Sequence, residues 1–260
     1  MSRDRSSTVD VLIPAVDPVR PPNDLRQYDD LAGEWWRPDG AFAPLHWLAA
    51  ARARLIPPAS RPAAVLVDVG CGAGLLAPHV AEKGYRHIGI DLVRSALEQA
   101  ADHGLAPVNA DATALPLADS CADVVSAGEL LEHVPRWPVA VAEACRILRP
   151  GGMLVLDTLN ATMLSRLLAV RLSERLPGVP RGIHDPDLFV DRRRLVAECA
   201  QHGVSLRVRG VRPRIWPMAR WLARRAGNRP AEPPRPVGAP PIVPTWSTAV
   251  LYQGRGVKRG

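Results

Sequence analysis

The sequence predicts an α/β fold in which helices cover both faces of a mostly parallel β-sheet. From about residue 61 to residue 156, short apolar runs of strand length alternate with segments of helical pattern. Strands buried on both faces are nearly continuous apolar runs, and parallel neighbours need a crossover that is usually a helix. A glycine-rich loop follows the first apolar run directly, which is typical of α/β proteins that bind a ligand at the sheet edge.

The predicted strands are short segments that are rich in aliphatic side chains. Five of them precede residue 160 and two follow it, so the predicted sheet has seven strands. In chain order they are AVLVDV (64–69), HIGID (87–91), APVNAD (106–111), ADVVSA (122–127), GMLVLDT (152–158), VSLRVRGV (204–211) and TWSTAVLYQ (245–253).

Helices are predicted at 44–55, 75–84, 95–104, 138–148 and 191–202. The second of these ends at Gly84, because glycine readily adopts the left-handed conformation that closes a helix. The third begins at Ser95, whose hydroxyl is of the type that caps a helix N-terminus.

The composition is that of an ordinary globular protein of 260 residues and 28.1 kDa, with 47% hydrophobic and 23% charged side chains. The four cysteines show neither a CxxC pair nor metal-ligand spacing, which favours a reducing compartment over a disulfide framework. The sequence lacks a signal-peptide pattern and an apolar run of the roughly 18 residues that a membrane span needs. We therefore expect a soluble cytoplasmic protein.

The net charge is +7, and only Lys83 and Lys258 among the basic residues are lysines. Residues 61–160 are net acidic, whereas residues 166–260 are net basic. Such asymmetry can mark an anionic partner. The basic residues are not interleaved with stacking aromatics, and no nucleic-acid-binding motif is present, so we expect no nucleic-acid partner.

Three features at successive strand ends predict a nucleoside-binding site. Asp91 ends the second strand, where a carboxylate can accept both hydroxyls of a ribose, and Asp111 follows the third strand, within reach of an adenine amino group. The glycines of the loop let the backbone turn sharply and approach a ligand closely. The loop reads Asp68-Val69-Gly70-Cys71-Gly72-Ala73-Gly74.

A nicotinamide-dependent oxidoreductase is an alternative for this pattern. It would show the spacing GxGxxG, but here the third glycine comes one place early, and no catalytic Tyr–Lys pair is present.

The chain resembles the class I S-adenosylmethionine-dependent methyltransferases and, among them, the 3-demethylubiquinone (polyprenyl-hydroxyphenol) O-methyltransferase family. The resemblance implies a Rossmann-like sheet whose last strand is antiparallel, with S-adenosylmethionine as methyl donor. The segments that carry it are WWRPDGAFAPLH (35–46), VDVGCGAGLLA (67–77), GELLEHVP (128–135), RPGGMLVLDTLN (149–160) and RGIHDPDLFV (181–190).

The resemblance also implies contacts to the cofactor from Arg52, Gly70, Asp91 and Gly128. The guanidinium of Arg52 could pair with the cofactor carboxylate. The alternative for Arg52 is a solvated residue on a helix surface.

Glu129, Glu132 and His133 follow the fourth strand at positions i, i+3 and i+4, which would share one helical face. The resemblance assigns these positions to Mg²⁺, which could bind a phenolate or catecholate oxygen and lower its pKa. The alternative is an acidic pair at a helix start, with His133 as a general base for the acceptor hydroxyl.

His184 and Asp185 match the family's His-Asp pair, and the resemblance implies that they line the acceptor pocket, with Asp185 orienting the catalytic imidazole of His184. The alternative for Asp185 is a helix cap before Pro186. Trp35 and Trp36 could cover the pocket or simply pack.

The predicted organisation is a flexible N-terminal arm (1–27), a methyltransferase domain (28–253) and a basic tail (254–260). The domain contains an acceptor-side cap (160–190) and a proline-rich insertion (227–244).

The leucine-rich segment 163–176 includes Arg166, Arg171 and Arg175. It is predicted to act as a lid or as a peripheral contact with the inner face of the membrane.

The expected acceptor is a hydroxylated aromatic or quinol, as the resemblance implies. Because the proline-rich insertion and the arginine surplus depart from the family, a polyketide or another natural product is the competing acceptor. A non-catalytic nucleotide- or lipid-binding protein on the same fold is a third possibility. It would predict loss of the residues of the ligand loop, and these are all present.

Overall fold

The computed structural model describes residues 21–37, 40–172, 174, 181–226 and 241–260. Within these residues, one sheet of eight strands forms the centre of the molecule. Its strands are β1 (Val65–Val69), β2 (Arg86–Asp91), β3 (Ala106–Asn109), β4 (Ala122–Gly128), β5 (Leu148–Leu159), β6 (Val204–Pro213), β7 (Ile242–Thr245) and β8 (Leu251–Lys258).

The strand order is β3-β2-β1-β4-β5-β8-β6-β7. Strands β1 to β5 run parallel, and β8 is inserted antiparallel between β5 and β6. The predicted α/β class and the antiparallel last strand are thereby confirmed. The chain reverses direction in sheet order on either side of β1, so a crevice opens at the carboxyl ends of β1 and β4.

The sheet has one strand more than the predicted seven. The segment 245–253 is not one strand, because β7 ends at Thr245 and β8 begins at Leu251. Strand β7 pairs with the outer side of β6, whereas β8 pairs with its inner side. The intervening chain must therefore cross the end of β6, and Trp246 on this crossing is 97% exposed.

The helices of the described part of the chain are α1 (Arg26–Asp30), α2 (Ala43–Ala53), α3 (Ala77–Val80), α4 (Arg94–Asp102), α5 (Trp137–Ile147), α6 (Met163–Ser165), α7 (Arg192–Gln201) and α8 (Ile215–Ala226). A π-helical segment, Arg166–Leu172, continues α6. Short 3₁₀ turns occupy Ala32–Glu34, Ala81–Lys83, Leu131–His133 and Pro186–Leu188.

One predicted helix end is confirmed, and one predicted cap is wrong. Gly84 ends the turn after α3 in the left-handed conformation, with φ at 80°. Ser95 does not cap α4, because Val93 occupies the N-cap position. The Ser95 hydroxyl donates instead to Asp29 Oδ1 at 2.6 Å and so joins α4 to α1.

Both faces of the sheet are buried, which explains the unbroken apolar strands. Val67 and Val125 lie on one face, in a core shared with α5 and α7. Their neighbours Leu66 and Val124 point to the other face, where they pack with Val155 and the end of α2.

Several predicted boundaries can be compared with the described residues. The predicted arm is described only from residue 21, and the proline-rich insertion only from residue 241. The predicted tail begins in the middle of β8, which continues to Lys258. No helix in the described part of the chain is long and apolar enough to cross a membrane.

Candidate active site

A cavity of about 1010 Å³ lies at the carboxyl ends of the central strands. The glycine loop and the ends of β2 and β4 form its floor, while α2 and α8 form its walls. It is lined by seven of the eight predicted cofactor-binding residues, namely Arg52, Asp68, Gly70, Gly72, Asp91, Asp111 and Gly128. The eighth, Gly74, packs towards α4, since a Cβ there would lie 3.1 Å from Ala100 Cα.

The glycine loop has the backbone that its sequence predicts. Gly72 has a φ of 51°, and a Cβ on it would lie 2.9 Å from the ring of Trp35. Asp91 supports the loop, because its Oδ2 accepts a hydrogen bond from the Gly72 N–H at 2.8 Å and its Oδ1 accepts one from Val93. Burial raises the pKa of Asp91, although these N–H donors oppose the shift.

The other two predicted carboxylates differ in their surroundings. Asp68 is 2% exposed, and its Oδ2 lies 3.9 Å from His87 Nε2. Asp111 is exposed at the rim of the cavity, where its Oδ1 accepts hydrogen bonds from the N–H and hydroxyl of Thr113. These bonds lower the pKa of Asp111, so its carboxylate is ionised near neutrality.

Arg52 is 6% exposed and is not a solvated helix residue. Its Nη1 donates to Asp157 Oδ1 at 2.6 Å. Asp157 is fully buried and also accepts hydrogen bonds from the Glu129 N–H and from Gln253 Nε2, each at 3.0 Å. The guanidinium lies so close to Gly128 that a Cβ at residue 128 would overlap it.

Asp157 and Gln253 were not predicted as site residues from the sequence. Asp157 is a carboxylate within the apolar run LVLDT of β5. Because a buried charge needs a partner, this position could have indicated a buried ion pair. The partner could not be read from the sequence, because Arg52 and Asp157 are 105 residues apart.

The three predicted magnesium ligands do not share a helical face. Glu129 has a φ of 51°, and the residues that follow form a 3₁₀ turn. Glu132 points away from the cavity into the core, where its carboxylate accepts hydrogen bonds from the Thr158 hydroxyl at 2.7 Å and from the Leu159 N–H at 3.3 Å. The prediction of a common face is therefore wrong.

As arranged in the structure, these residues do not fit a divalent cation. No group of three or more His, Cys, Asp or Glu side chains within the described residues is placed to hold one. Burial raises the pKa of Glu132 to about 7. Burial and the nearby carboxylates of Glu132 and Asp157 raise the pKa of Glu129 well above its usual value.

His133 and His184 both line the cavity, with their ring centroids 5.4 Å apart. His133 Nδ1 lies 2.8 Å from Asn23 Oδ1, and Asn23 Nδ2 donates to the carbonyl oxygen of His133 at 2.9 Å. Burial and the proximity of His184 lower the pKa of His133 to about 3. His133 is therefore neutral at physiological pH.

Glu174, and not Asp185, faces the imidazole of His184. The distance from His184 Nδ1 to Glu174 Oε1 is 3.6 Å. Asp185 instead caps the 3₁₀ turn Pro186–Leu188 by accepting a hydrogen bond from the Asp187 N–H at 2.9 Å. The predicted orienting role of Asp185 is wrong, and its predicted capping alternative is confirmed.

Only one of the two predicted tryptophans lines the cavity. Trp35 is 5% exposed and stacks on Phe42, with ring centroids 4.1 Å apart. The indole of Trp36 turns outwards, where it stacks on His103 at 3.6 Å and donates to the Ala73 carbonyl.

Apolar side chains form part of the lining of the cavity that holds the two histidines, and we call them its apolar wall. The π-helical segment contributes Leu168, and α8 contributes Met218 and Trp221. Helix α8 was not predicted from the sequence, although Ile215, Met218 and Trp221 recur at the three-residue spacing of a helix face.

The segments that carry this wall, α6 with its π-helical continuation and α8, also expose large apolar side chains. We name these the apolar rim: Met163, Leu164, Leu167, Ile215 and Trp216. Met163, Ile215 and Trp216 are 80%, 73% and 79% exposed. Of the arginines predicted in 163–176, Arg166 pairs with Asp187 at 3.3 Å, Arg171 is exposed, and Arg175 lies outside the described residues.

Residues 67–156 match the family model of a methyltransferase domain. The chain is 35% identical over 200 residues to a ubiquinone biosynthesis O-methyltransferase of Burkholderia pseudomallei, covering 73% of this chain and 86% of the relative. It is 37% identical over 180 residues to a protein of the same name from Idiomarina loihiensis, covering 65% and 74%.

Two solved structures share the fold. One is a possible histamine N-methyltransferase of Thermotoga maritima, with a TM-score of 0.57 and 18% identity over 90% of this chain and 97% of that one. The other is an S-adenosylmethionine-dependent methyltransferase of Mesorhizobium loti, with a TM-score of 0.54 and 17% identity over 84% and 98%.

Proposed function

Because the chain belongs to the family of the ubiquinone biosynthesis O-methyltransferases, we propose that its acceptor is a phenol, catechol or quinol hydroxyl of a quinone precursor. The protein is an S-adenosylmethionine-dependent methyltransferase. The observation that carries the proposal is that one cavity is lined by the residues at the carboxyl edge of the sheet, by two histidines and by apolar side chains.

The residues at the sheet edge fit S-adenosylmethionine by their chemistry. Asp91 suits the ribose hydroxyls, and the ionised Asp111 at the rim suits an amino group. Arg52 suits a carboxylate, because its buried guanidinium lines the cavity and its Nε has no hydrogen-bond partner among the described residues. When bound, the cofactor supplies a methyl group on a sulfonium.

We propose that His133 accepts the proton of the acceptor hydroxyl. With S-adenosylmethionine bound, the methyl group would pass to the acceptor oxygen while sulfur keeps the electron pair of the broken sulfur–carbon bond, and the imidazole of His133 would take the hydroxyl proton. The hydroxyl becomes strongly acidic as its oxygen gains the methyl group. A base with a pKa of about 3 can therefore accept this proton.

The apolar wall supports an acceptor with an apolar substituent. Leu168 and Trp221 on this wall can pack against a hydrocarbon chain, because they line the same cavity as the two histidines. A polyketide of similar polarity would also fit this wall, so both acceptor classes belong in the assay.

Contact with a membrane is a further part of the proposal. The residues of the apolar rim are exposed, and two exposed arginines, Arg171 and Arg214, lie close to them in sequence. A rim of this kind can enter the interface of a bilayer that holds an apolar acceptor.

Magnesium has no step in this mechanism. The carboxylate of Glu132 already accepts two hydrogen bonds in the core, and it would have to leave both to reach a cation beside His133.

Two measurements test the proposed function. Calorimetric titration should show binding of S-adenosylmethionine that is weakened in Asp91→Ala, and no binding of NAD(P)H. Transfer of radiolabelled methyl should then be compared among catechols, demethylated quinols and polyketide phenols. Transfer only to a polyketide would overturn the acceptor proposal, and binding without transfer to any acceptor would favour a non-catalytic protein.

A further inference from the structure

We propose that Asn23 is a positioning residue for methyl transfer, because it holds His133 in the tautomer whose Nε2 is free to accept a proton. This inference deepens the proposed function and rests on the role of His133 in it. Asn23 lies in the segment predicted as a mobile arm, 110 residues from His133 in sequence.

The hydrogen bonds determine which end of the Asn23 amide faces the imidazole. The carbonyl oxygen of His133 can only accept, so the Asn23 group 2.9 Å from it must be the NH₂. The amide oxygen is therefore the atom that lies 2.8 Å from His133 Nδ1. An amide oxygen can only accept, so the imidazole proton resides on Nδ1.

The backbone of Asn23 is adapted to this role. Its φ is 61°, in the left-handed region that asparagine tolerates better than most residues. Its N–H donates to the Gly182 carbonyl at 2.9 Å, which ties Asn23 to the loop that carries His184. The side chain is thus held between His133 and a second element of the site.

A neutral amide behind the imidazole has a different effect from a carboxylate. A carboxylate would fix the same tautomer but would also favour the charged imidazolium. Around His133 lie the ring of His184 at 5.4 Å and the edge of Tyr28 at 6.4 Å. Asn23 therefore fixes the tautomer while His133 remains a neutral acceptor.

The opposite tautomer of His133 could not act as a base at the cavity. Its Nε2 would carry a hydrogen and could only donate to the acceptor hydroxyl, so the proton would have no base. Loss of the Asn23 amide should therefore lower kcat and leave the KM for S-adenosylmethionine nearly unchanged.

The test uses Asn23→Gly in the full chain, because glycine retains the left-handed backbone and removes only the amide. Long-range ¹⁵N–¹H spectra of the histidine rings report which nitrogen carries the proton, and His133→Gln identifies the resonances of His133. We expect Nδ1–H in the wild type, a shift towards Nε2–H in Asn23→Gly, and a fall in kcat of about tenfold or more.

Asp24→Ala is the matched control, because it removes the contacts of Asp24 with Arg26 in the same segment. It should leave both the tautomer and kcat unchanged. A wild-type proton on Nε2, or an Asn23→Gly variant with unchanged tautomer or unchanged kcat, would overturn the inference. Full activity of His133→Gln would instead overturn the role of His133 in the proposed function, and the spectra would still decide the effect of Asn23 on the imidazole.

Discussion

Gly128→Ala should displace Arg52 from its buried ion pair. A Cβ at residue 128 would overlap the guanidinium, which is held at 2.6 Å from Asp157 Oδ1. The side chains of Arg52 and Asp157 are 8% and 0% exposed, so neither charge can be hydrated in place. Separating a buried pair costs about 3–5 kcal/mol, and we expect a loss of this size in the free energy of unfolding.

The measurement is urea unfolding of the variant, together with calorimetric titration of S-adenosylmethionine. Gly33→Ala is the matched control, because a Cβ there meets nothing within 4 Å. It should change the free energy of unfolding by no more than about 0.5 kcal/mol. We also expect Gly128→Ala to weaken cofactor binding, since Arg52 is moved from the cavity wall.

A double-mutant cycle isolates the cause. An Arg52→Ala background removes the three atoms that a Cβ at residue 128 would meet first, so Gly128→Ala should then cost less than about 1 kcal/mol. The predicted displacement of Arg52 is refuted if Gly128→Ala lowers the free energy of unfolding by about the same amount in both backgrounds. It is also refuted if the single variant is as stable as Gly33→Ala and binds S-adenosylmethionine normally.

Three further predictions concern the carboxylates and the apolar rim. The raised pKa of Glu132, about 7, means that its protonation stabilises the folded state at low pH, and this contribution is lost as pH rises from about 4.5 to 7. The wild type should therefore lose free energy of unfolding relative to Glu132→Gln as the pH rises from 5 to 8. A difference between the two proteins that does not change with pH would contradict the raised pKa of the buried Glu132. Methyl transfer in EDTA should equal that in Mg²⁺, because Glu132 is held by Thr158 and Leu159, and a loss restored by Mg²⁺ would contradict this arrangement. Trp216→Glu should reduce co-sedimentation with anionic phospholipid vesicles severalfold, whereas Leu92→Glu, at another exposed apolar residue, should not; equal sedimentation of both variants with the wild type would remove the membrane contact.

The parts of the molecule that could be predicted from sequence depend on local signals. The glycine loop directly follows a buried strand, and Asp91 is the last residue of the next one. The carboxyl ends of parallel strands lie at the same edge of a sheet, independently of the structure elsewhere in the chain. The capping roles of Gly84 and Asp185 are equally local, because each depends on a few neighbouring residues.

The parts that were missed depend on contacts between distant segments. Asp157 meets Arg52 and Gln253 across 105 and 96 residues, and Asn23 meets His133 across 110. The helical face expected for Glu129 and Glu132 failed because the left-handed backbone at Glu129 interrupts the helix before it can begin.

The low pKa of His133 is consistent with turnover. Bound S-adenosylmethionine would bring one positive charge to a cavity wall where Asp68, Glu129 and Asp157 act electrostatically on the Arg52 guanidinium. Burial and the nearby carboxylates of Glu132 and Asp157 raise the pKa of Glu129. Methyl transfer moves that charge to the acceptor oxygen, and the departing proton carries it to His133. Because burial and His184 hold the pKa of His133 near 3, the imidazolium gives the proton up readily to water or to a nearby carboxylate. A stronger base would keep the proton and would enter the next cycle as a donor.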